Sequence, residues 1–381
     1  MAQASRRWRN LGIAAGAATA TLFAAFDLYQ WVSAYAADHF HNDFTFYFAA
    51  ARIGWNHGWS SIYDLTMQQA ELNAMGSGIT VAELARYISP PPVAWLALPL
   101  TALPYPVAYW TWSVLLLVAL GLTWLWAAPG AGRARVIYVL AAVGWLPVIY
   151  GLQLGQPGLF VAAGVAGSYA LLRADRKMWA GVALGALALK PQLAFLLPLA
   201  LLAAREGRAF AGSVIGLGAL VLLSAIALGP GGIGAYLDRL NFASNVPVNR
   251  ELTLGVRSAE IFIAAWTVII ANRLRHRGAG WVYACALVGG MLATPYAHLD
   301  DLAMLGLAAW LVLRSDAPRW AWVYILAAVI AIEGEPIWGP IPVIASEVGG
   351  LALLSLAAVR SRAGLSLPQI DARPLELRPK Q

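Results

Sequence analysis

Residues 210–229 read FAGSVIGLGALVLLSAIALG, twenty positions without one ionisable side chain. A helix rises 1.5 Å per residue, so about twenty apolar residues match a hydrocarbon core about 30 Å thick. The apolar positions run continuously instead of alternating, which argues against a barrel strand and for a helix that satisfies its own backbone hydrogen bonds in lipid. Runs of this kind recur from Leu11 to Val359. The reading is an all-α polytopic membrane protein.

Composition agrees: the 381 residues are 60% hydrophobic and 12% charged, with mean hydropathy +0.65. A soluble core with a charged surface does not give that balance. The net charge of +7 could suggest nucleic acid, but Lys and Arg fall in short clusters between apolar runs: Arg6 to Arg9, Arg133 and Arg135, Arg173 to Lys177, Arg205 to Arg208, Arg273 to Arg277, Arg314 to Arg319 and Arg360 to Arg362. The positive-inside rule places all of them in the cytoplasm. Cys285 is the single cysteine, so no disulfide or Cys-based metal site forms within the chain, and its setting in an apolar run fits packing. The first run, Leu11 to Ala36, follows three arginines but exceeds a signal h-region of about 7–15 residues, and is expected to be a retained helix.

On this scheme helices are predicted near 11–36, 106–128, 136–152, 158–172, 178–190, 191–204, 210–229, 257–272, 279–294, 301–313, 319–333 and 341–359, about twelve transmembrane helices with both termini inside. Several are short, which points to tilted or broken helices around a cavity. Val93 to Leu103 is bracketed by Pro90, Pro91, Pro92 and Pro104 and is expected to be re-entrant or a half-helix. The first outer loop, 37–92, carries amphipathic signals: a helix opened by Asp43, a second piece from Leu65 to Met75 and a third from Val81 to Tyr87. Trp55, Trp59, Tyr63 and Tyr87 suit the headgroup level. Residues 1–364 form one membrane domain in this reading, and 365–381, rich in Pro and charge, a flexible cytoplasmic tail. Gly289-Gly290 and Gly349-Gly350 read as helix contacts and not as phosphate cradles.

The unusual polar residues fall in the outer segments. Asp43 can act as general base for a hydroxyl or, alternatively, cap the helix after it. Lys190, alone in the apolar run 178–204, can hold an anion or snorkel to the interface. Gln153 and Gln156 break two helices at membrane depth, where their amides could meet sugar hydroxyls or phosphate, or simply belong to a Gly/Pro turn. His298, Asp300 and Asp301 open another helix; the imidazole could bind phosphate, carry a proton or orient an acceptor. A divalent metal there would need further ligands such as His39, His41 or Asp43, so no obligatory cofactor is expected. Arg250 and Arg257 are candidates for a diphosphate or lipid headgroup.

In order, these elements resemble glycosyltransferase family 87, the membrane mannosyltransferases that use polyprenyl-phosphate-mannose. The likeness rests on Asp43 with Tyr47 and Ala49-Ala50, Gly58 through Tyr63-Asp64, Tyr87 with Pro90-Pro91, Pro99-Leu100 with Leu103-Pro104, Gly155-Gln156, Gly181 with Lys190-Pro191, and Pro295 with His298 and Asp300. It runs from about 40 to about 310. The resemblance implies the C-type glycosyltransferase fold in a bacterial inner membrane, with the site facing the periplasm or exterior. It implies a hexose, mannose first, moved with inversion from a polyprenyl-phosphate donor to a lipid or glycan acceptor. Carried over by position, Asp43 is the base, His298 assists near the donor phosphate, and Lys190 with Gln156 lines the donor cavity; from the residues themselves Gln153 and Arg257 are further candidates for binding the donor, and Tyr47, Asp300 and Tyr87 for lining the site or meeting the acceptor. Gly158 departs from the family, where an Asn is frequent, and residues 229–257 match no motif of it. A secondary transporter or a non-catalytic envelope-assembly protein is the alternative, although no inverted repeat is visible.

Overall fold

The computed structural model describes residues 2–82, 85–132, 134–315 and 317–360. Among them there are helices and turns and no strand. In chain order the helices are α1 (Ala2–Ala37), α2 (Phe44–His57), α3 (Leu65–Ala74), α4 (Pro91–Ala97), α5 (Tyr105–Ala127), α6 (Ala134–Val143), α7 (Leu146–Leu154), α8 (Gly158–Arg173), α9 (Lys177–Ala183), α10 (Leu197–Ala203), α11 (Gly207–Asn245), α12 (Arg257–Leu274), α13 (Ala279–Ala293), α14 (Ala303–Leu313), α15 (Arg319–Glu333), α16 (Glu335–Trp338) and α17 (Ile341–Arg360).

Among the described residues four helices are long and apolar enough to cross a membrane: Leu11–Ala37, Tyr105–Ala127, Gly207–Asn245 and Ile341–Arg360. A fifth crossing arises if α6 and α7, bent by 58° at their junction, form one broken span. The outward surface carries the apolar side chains, with Leu22 71% and Ile226 69% exposed. Apolar faces of that extent require lipid, and the chain is a helical membrane protein. The remaining predicted crossings correspond to shorter helices. The run expected at 178–190 is α9 followed by a tight 3-10 stretch, Leu184–Leu189, and that at 191–204 is reduced to α10 after a 3-10 turn, because Pro191 and Pro198 remove backbone donors.

Pro91 to Ala102, α4 continued by a 3-10 turn, is about 20 Å long, too short for a full crossing. Three expectations for the outer segments fail. Among the described residues of 81–87 there is no helix. Tyr63 and Tyr87 are 2% and 1% exposed, stacked on each other inside the core instead of sitting at the headgroups, while Trp55 is 73% exposed. The interval 229–257, read as loop, is helical as far as Asn245. Gly229 there adopts φ 61°, ψ 179°, a conformation essentially restricted to glycine, and with Pro230 it bends α11 without ending it. The arm after this bend passes over the 60s loop, where Gly232 packs on Ser60.

The core lies between α2, α5, α8, α13 and α14 around Trp112, Tyr109, Tyr283 and Trp281. Glycine pairs do serve as helix contacts: Gly289 leaves room for Thr267 of α12, and Gly350 for Tyr324 of α15. Cys285 is buried in α13. The tail 365–381 lies outside the described residues.

Candidate active site

After α1 the chain turns on Asp38, whose carboxylate accepts the N–H groups of Phe40 and His41 at 3.0 and 3.3 Å. Asn42 then caps α2: its side-chain oxygen accepts the Thr45 N–H at 3.2 Å. Asp43 is thereby released from capping and makes no side-chain cap bond. Its own N–H donates to the Leu154 carbonyl at 2.9 Å, which fixes it against the end of α7.

That end is shaped by Gly155, left-handed at φ 71°, where a Cβ would lie 2.9 Å from the Phe44 Cβ. The Gln156 N–H returns to the Gly151 carbonyl at 2.8 Å, and the Trp112 indole donates to the Gly155 carbonyl at 2.8 Å. The Gln156 side chain is placed from both sides. Its Nε2 donates to Asp43 Oδ2, and its Oε1 accepts from Lys190 Nζ at 3.1 Å and from the Tyr47 hydroxyl at 3.2 Å.

Lys190 sits between two 3-10 turns with φ −153° and ψ 78°, outside the helical region. Its Nζ reaches Asp300 Oδ2 at 2.6 Å and also pairs with Asp301 Oδ1, with 9% of its side chain exposed. Of the two alternatives for Lys190, snorkelling is excluded; its cation is already held by two carboxylates. Asp301 is in turn fixed by the His298 N–H, which donates to its Oδ2 at 3.0 Å. The His298 Nε2 lies 2.9 Å from the Tyr296 hydroxyl. Asp300 Oδ1 is buried without a hydrogen-bond partner.

These groups open on a cavity of about 590 Å³. Asp43, Asp301 and His298 lie in connecting segments, outside the apolar spans. Burial pushes the Asp43 carboxyl up to about 6, and the nearby charge of Asp300 adds to this while Lys190 and Gln156 oppose it. Burial also raises Asp301, against the pull of Lys190. Burial lowers His298, so its imidazole is neutral at neutral pH. The arrangement offers a carboxylate base near its pKa, an acceptor lone pair on Asp300 and a neutral imidazole, all on one cavity.

A protein-family model described as Glycosyltransferase family 87 matches residues 87–333, well over half of the chain. The chain belongs to glycosyltransferase family 87. It is therefore a glycosyltransferase, and its substrates are a sugar donor and an acceptor. No curated protein and no solved structure matched it in the same comparisons. The family match takes in Gln156, Lys190, His298 and Asp300 but begins beyond Asp43 and Tyr47, which join the cavity through the fold.

Of the residues singled out in the sequence of this family 87 glycosyltransferase, Asp43, Tyr47, Gln156, Lys190, His298 and Asp300 line the one cavity. Three do not. Gln153 stays in α7 with its carbonyl accepting from the Tyr109 hydroxyl at 2.8 Å. Arg257 has 77% of its side chain exposed and lies 4.0 Å from Glu260. Tyr87 is turned into the core, its hydroxyl donating to the Pro90 carbonyl at 2.7 Å. Arg250 bonds the Gly255 carbonyl within its own loop. His41 pairs with the exposed Asp38, and among the described residues no group of three His, Cys, Asp or Glu side chains is placed to hold a metal.

The cavity also uses residues that sequence reasoning passed over: Arg86, Tyr150, Tyr296, Tyr236, Asn241 and Ser244. Tyr296 was within reach, since it stands inside the Thr294 to Asp301 motif. Tyr236, Asn241 and Ser244 lie on the arm of α11, and their spacing of about one helical turn becomes a signal only once 230–245 is known to be helical.

Proposed function

We propose that this glycosyltransferase moves a hexose, mannose in the first instance, from a polyprenyl-phosphate donor to a lipid or glycan acceptor, with inversion. The resemblance to the family's polyprenyl-phosphate-dependent members supports the donor class, and one observation supports the mechanism: Asn42 caps α2 in place of Asp43, whose side chain lines the cavity, where Gln156 holds one oxygen. The acceptor hydroxyl loses its proton to Asp43 as its oxygen attacks the anomeric carbon, and the C–O bond to phosphate breaks with the electron pair leaving on the polyprenyl phosphate. A single displacement of this kind inverts the anomeric centre. Asp300 Oδ1, buried without a partner, is suited to accept a sugar hydroxyl. His298, neutral, supplies one hydrogen bond near the leaving oxygen.

In this reading Lys190 holds Asp300 and Asp301 in position, and the protein has the C-type fold with about twelve transmembrane helices in a bacterial inner membrane. The site faces the periplasm or exterior, and residues 1–364 act as one domain. No obligatory metal is invoked.

Membranes carrying matched amounts of wild type and Asp43→Asn, given polyprenyl-phosphate-mannose with labelled sugar, test the assignment. Transfer is expected to fall roughly 10²–10⁴-fold in the variant, the usual weight of a general base. Equal transfer would remove Asp43 from the chemistry. The wild-type rate should also drop as pH falls through about 6, because protonated Asp43 cannot accept the proton; a flat profile from pH 5 to 8 would contradict a base with this pKa.

A further inference from the structure

We propose that Gln156 is a positioning residue for sugar transfer: by engaging Oδ2 of Asp43 it assigns Oδ1 as the oxygen that takes the acceptor proton. The inference deepens the base reading above and rests on it. The turn that carries Gln156 is closed by other groups, with the Gln156 N–H on the Gly151 carbonyl and the Trp112 indole on the Gly155 carbonyl. The side-chain amide is therefore not needed to hold the turn. Its orientation is decided by what faces it. Oε1 accepts from Lys190 Nζ at 3.1 Å and from the Tyr47 hydroxyl at 3.2 Å, and Nε2 donates to Asp43 Oδ2. A flipped amide would set N–H groups against an ammonium and a carbonyl oxygen against a carboxylate, and both contacts would be lost.

Among the described residues Gln156 is the one side chain that hydrogen-bonds the Asp43 carboxylate, so Oδ2 is committed and Oδ1 is left for substrate. As the acceptor O–H bond breaks, its electron pair forms the bond to the anomeric carbon and its proton passes to Oδ1. The amide acts on the same carboxyl in a second way. A donor on Oδ2 favours the ionised form, as Lys190 does, against burial and the charge of Asp300. Tyr47 from α2, Tyr150 from α7 and Tyr296 also face Asp43; phenols ionise at about pH 10 and stay neutral while the carboxyl titrates. His298 and Arg86 line the same cavity, and Asp301 is joined to it through Lys190. His298 and Asp301 titrate in the same region as Asp43, and neither bonds Gln156. A shift produced by removing the amide therefore reports Asp43.

The test uses full-length protein in membranes, with labelled polyprenyl-phosphate-mannose as donor, and reads kcat/KM from pH 5 to 8.5 in wild type, Gln156→Met and Gln156→Glu. Methionine keeps the length of the side chain without a donor; glutamate keeps the acceptor for Lys190 and Tyr47 and sets a carboxylate against Asp43. The acid limb of wild type, at about pH 6, is expected to move up by about one unit in Gln156→Met, the scale of one hydrogen bond to a charged group, and further in Gln156→Glu. The deficit of Gln156→Met should then be about tenfold larger at pH 5 than at pH 8.5. In an Asp43→Asn background that pH-dependent part should vanish. Without substrate, the infrared carbonyl band that Asp43→Asn removes should titrate with the same shift. A deficit equal at every pH shows a structural role and overturns the assignment, as does a limb or band unmoved in both variants; the base reading then stands. A wild type without the limb, or unaffected by Asp43→Asn, removes the base reading and this assignment with it.

Discussion

The cavity beside α2 and a smaller one between α13, α14, α15 and α17 both contain carboxyl groups withdrawn from water, and the surroundings of those groups differ throughout. The small cavity, about 100 Å³, is apolar, lined by Trp145, Trp281, Leu305 and Ile325. It holds one acid, Glu347, 3% exposed, with Oε1 lacking any hydrogen-bond partner; the nearby Tyr324 hydroxyl is given to the Ser346 carbonyl. In the large cavity Asp43 has Gln156, Asp300 and Asp301 share Lys190, and the His298 N–H fixes Asp301. Burial alone therefore does not mark a chemical site in this protein. Each acid of the large cavity meets at least one donor or cation, whereas the Glu347 Oε1 is buried with no hydrogen-bond partner.

Breaking the network should cost most. Lys190→Met leaves Asp300 and Asp301 facing each other without a cation, and a destabilisation of about 3–5 kcal/mol is expected. Thermal unfolding in detergent measures it, and Lys190→Met combined with Asp300→Asn should recover part of the loss. A small effect of the single change would mean the network is not held by its cation.

Asp43→Asn should go the other way. Its carboxyl is raised to about 6 from an ordinary 3.8, so the folded state holds the proton more tightly than the unfolded one. The ionised form is thus a burden above pH 6 that disappears as pH falls towards 4, on the order of 2–3 kcal/mol from the shift. The variant is therefore expected to be more stable than wild type at pH 7.5 and equal to it near pH 4, while transfer is lost. A pH-independent difference would show that packing, not charge, separates the two.

The smallest effect is expected at Glu347. Glu347→Leu should stabilise the protein by about 1–2 kcal/mol, by removing an unsatisfied buried acceptor, and leave sugar transfer unchanged. Loss of transfer in that variant would erase the distinction between the two cavities.

Much of this architecture is written in the chain. The apolar runs give the positions of α5, α8, α12, α15 and α17, and the end of α1, within a few residues, because lipid demands one composition wherever it touches the helix. The cavity was legible where a polar residue interrupts such a run, as at Gln156, Lys190 and His298. Gln153 shows the limit: three positions from Gln156 and as conspicuous in sequence, it is separated from it by the left-handed turn at Gly155 and stays outside. Tyr87 fails similarly, since aromatic residues suit an interface and a core equally well, and only the stacked neighbour Tyr63 decides. Whether Asp43 caps a helix depended on Asn42, a competitor one residue away.

The bend at Gly229 separates two kinds of responsibility. The groups joined in the Asp43–Gln156–Lys190–Asp300 network come from four distant stretches, around 43, 156, 190 and 300, so changing any of them disturbs several helices at once. The arm beyond the bend supplies Tyr236, Leu240, Asn241 and Ser244 from one short run of chain. On the proposed assignment, a protein built this way can be retargeted cheaply: the stretch 236–244 can be rewritten to reshape one wall of the cavity while the four-stretch network stays unchanged.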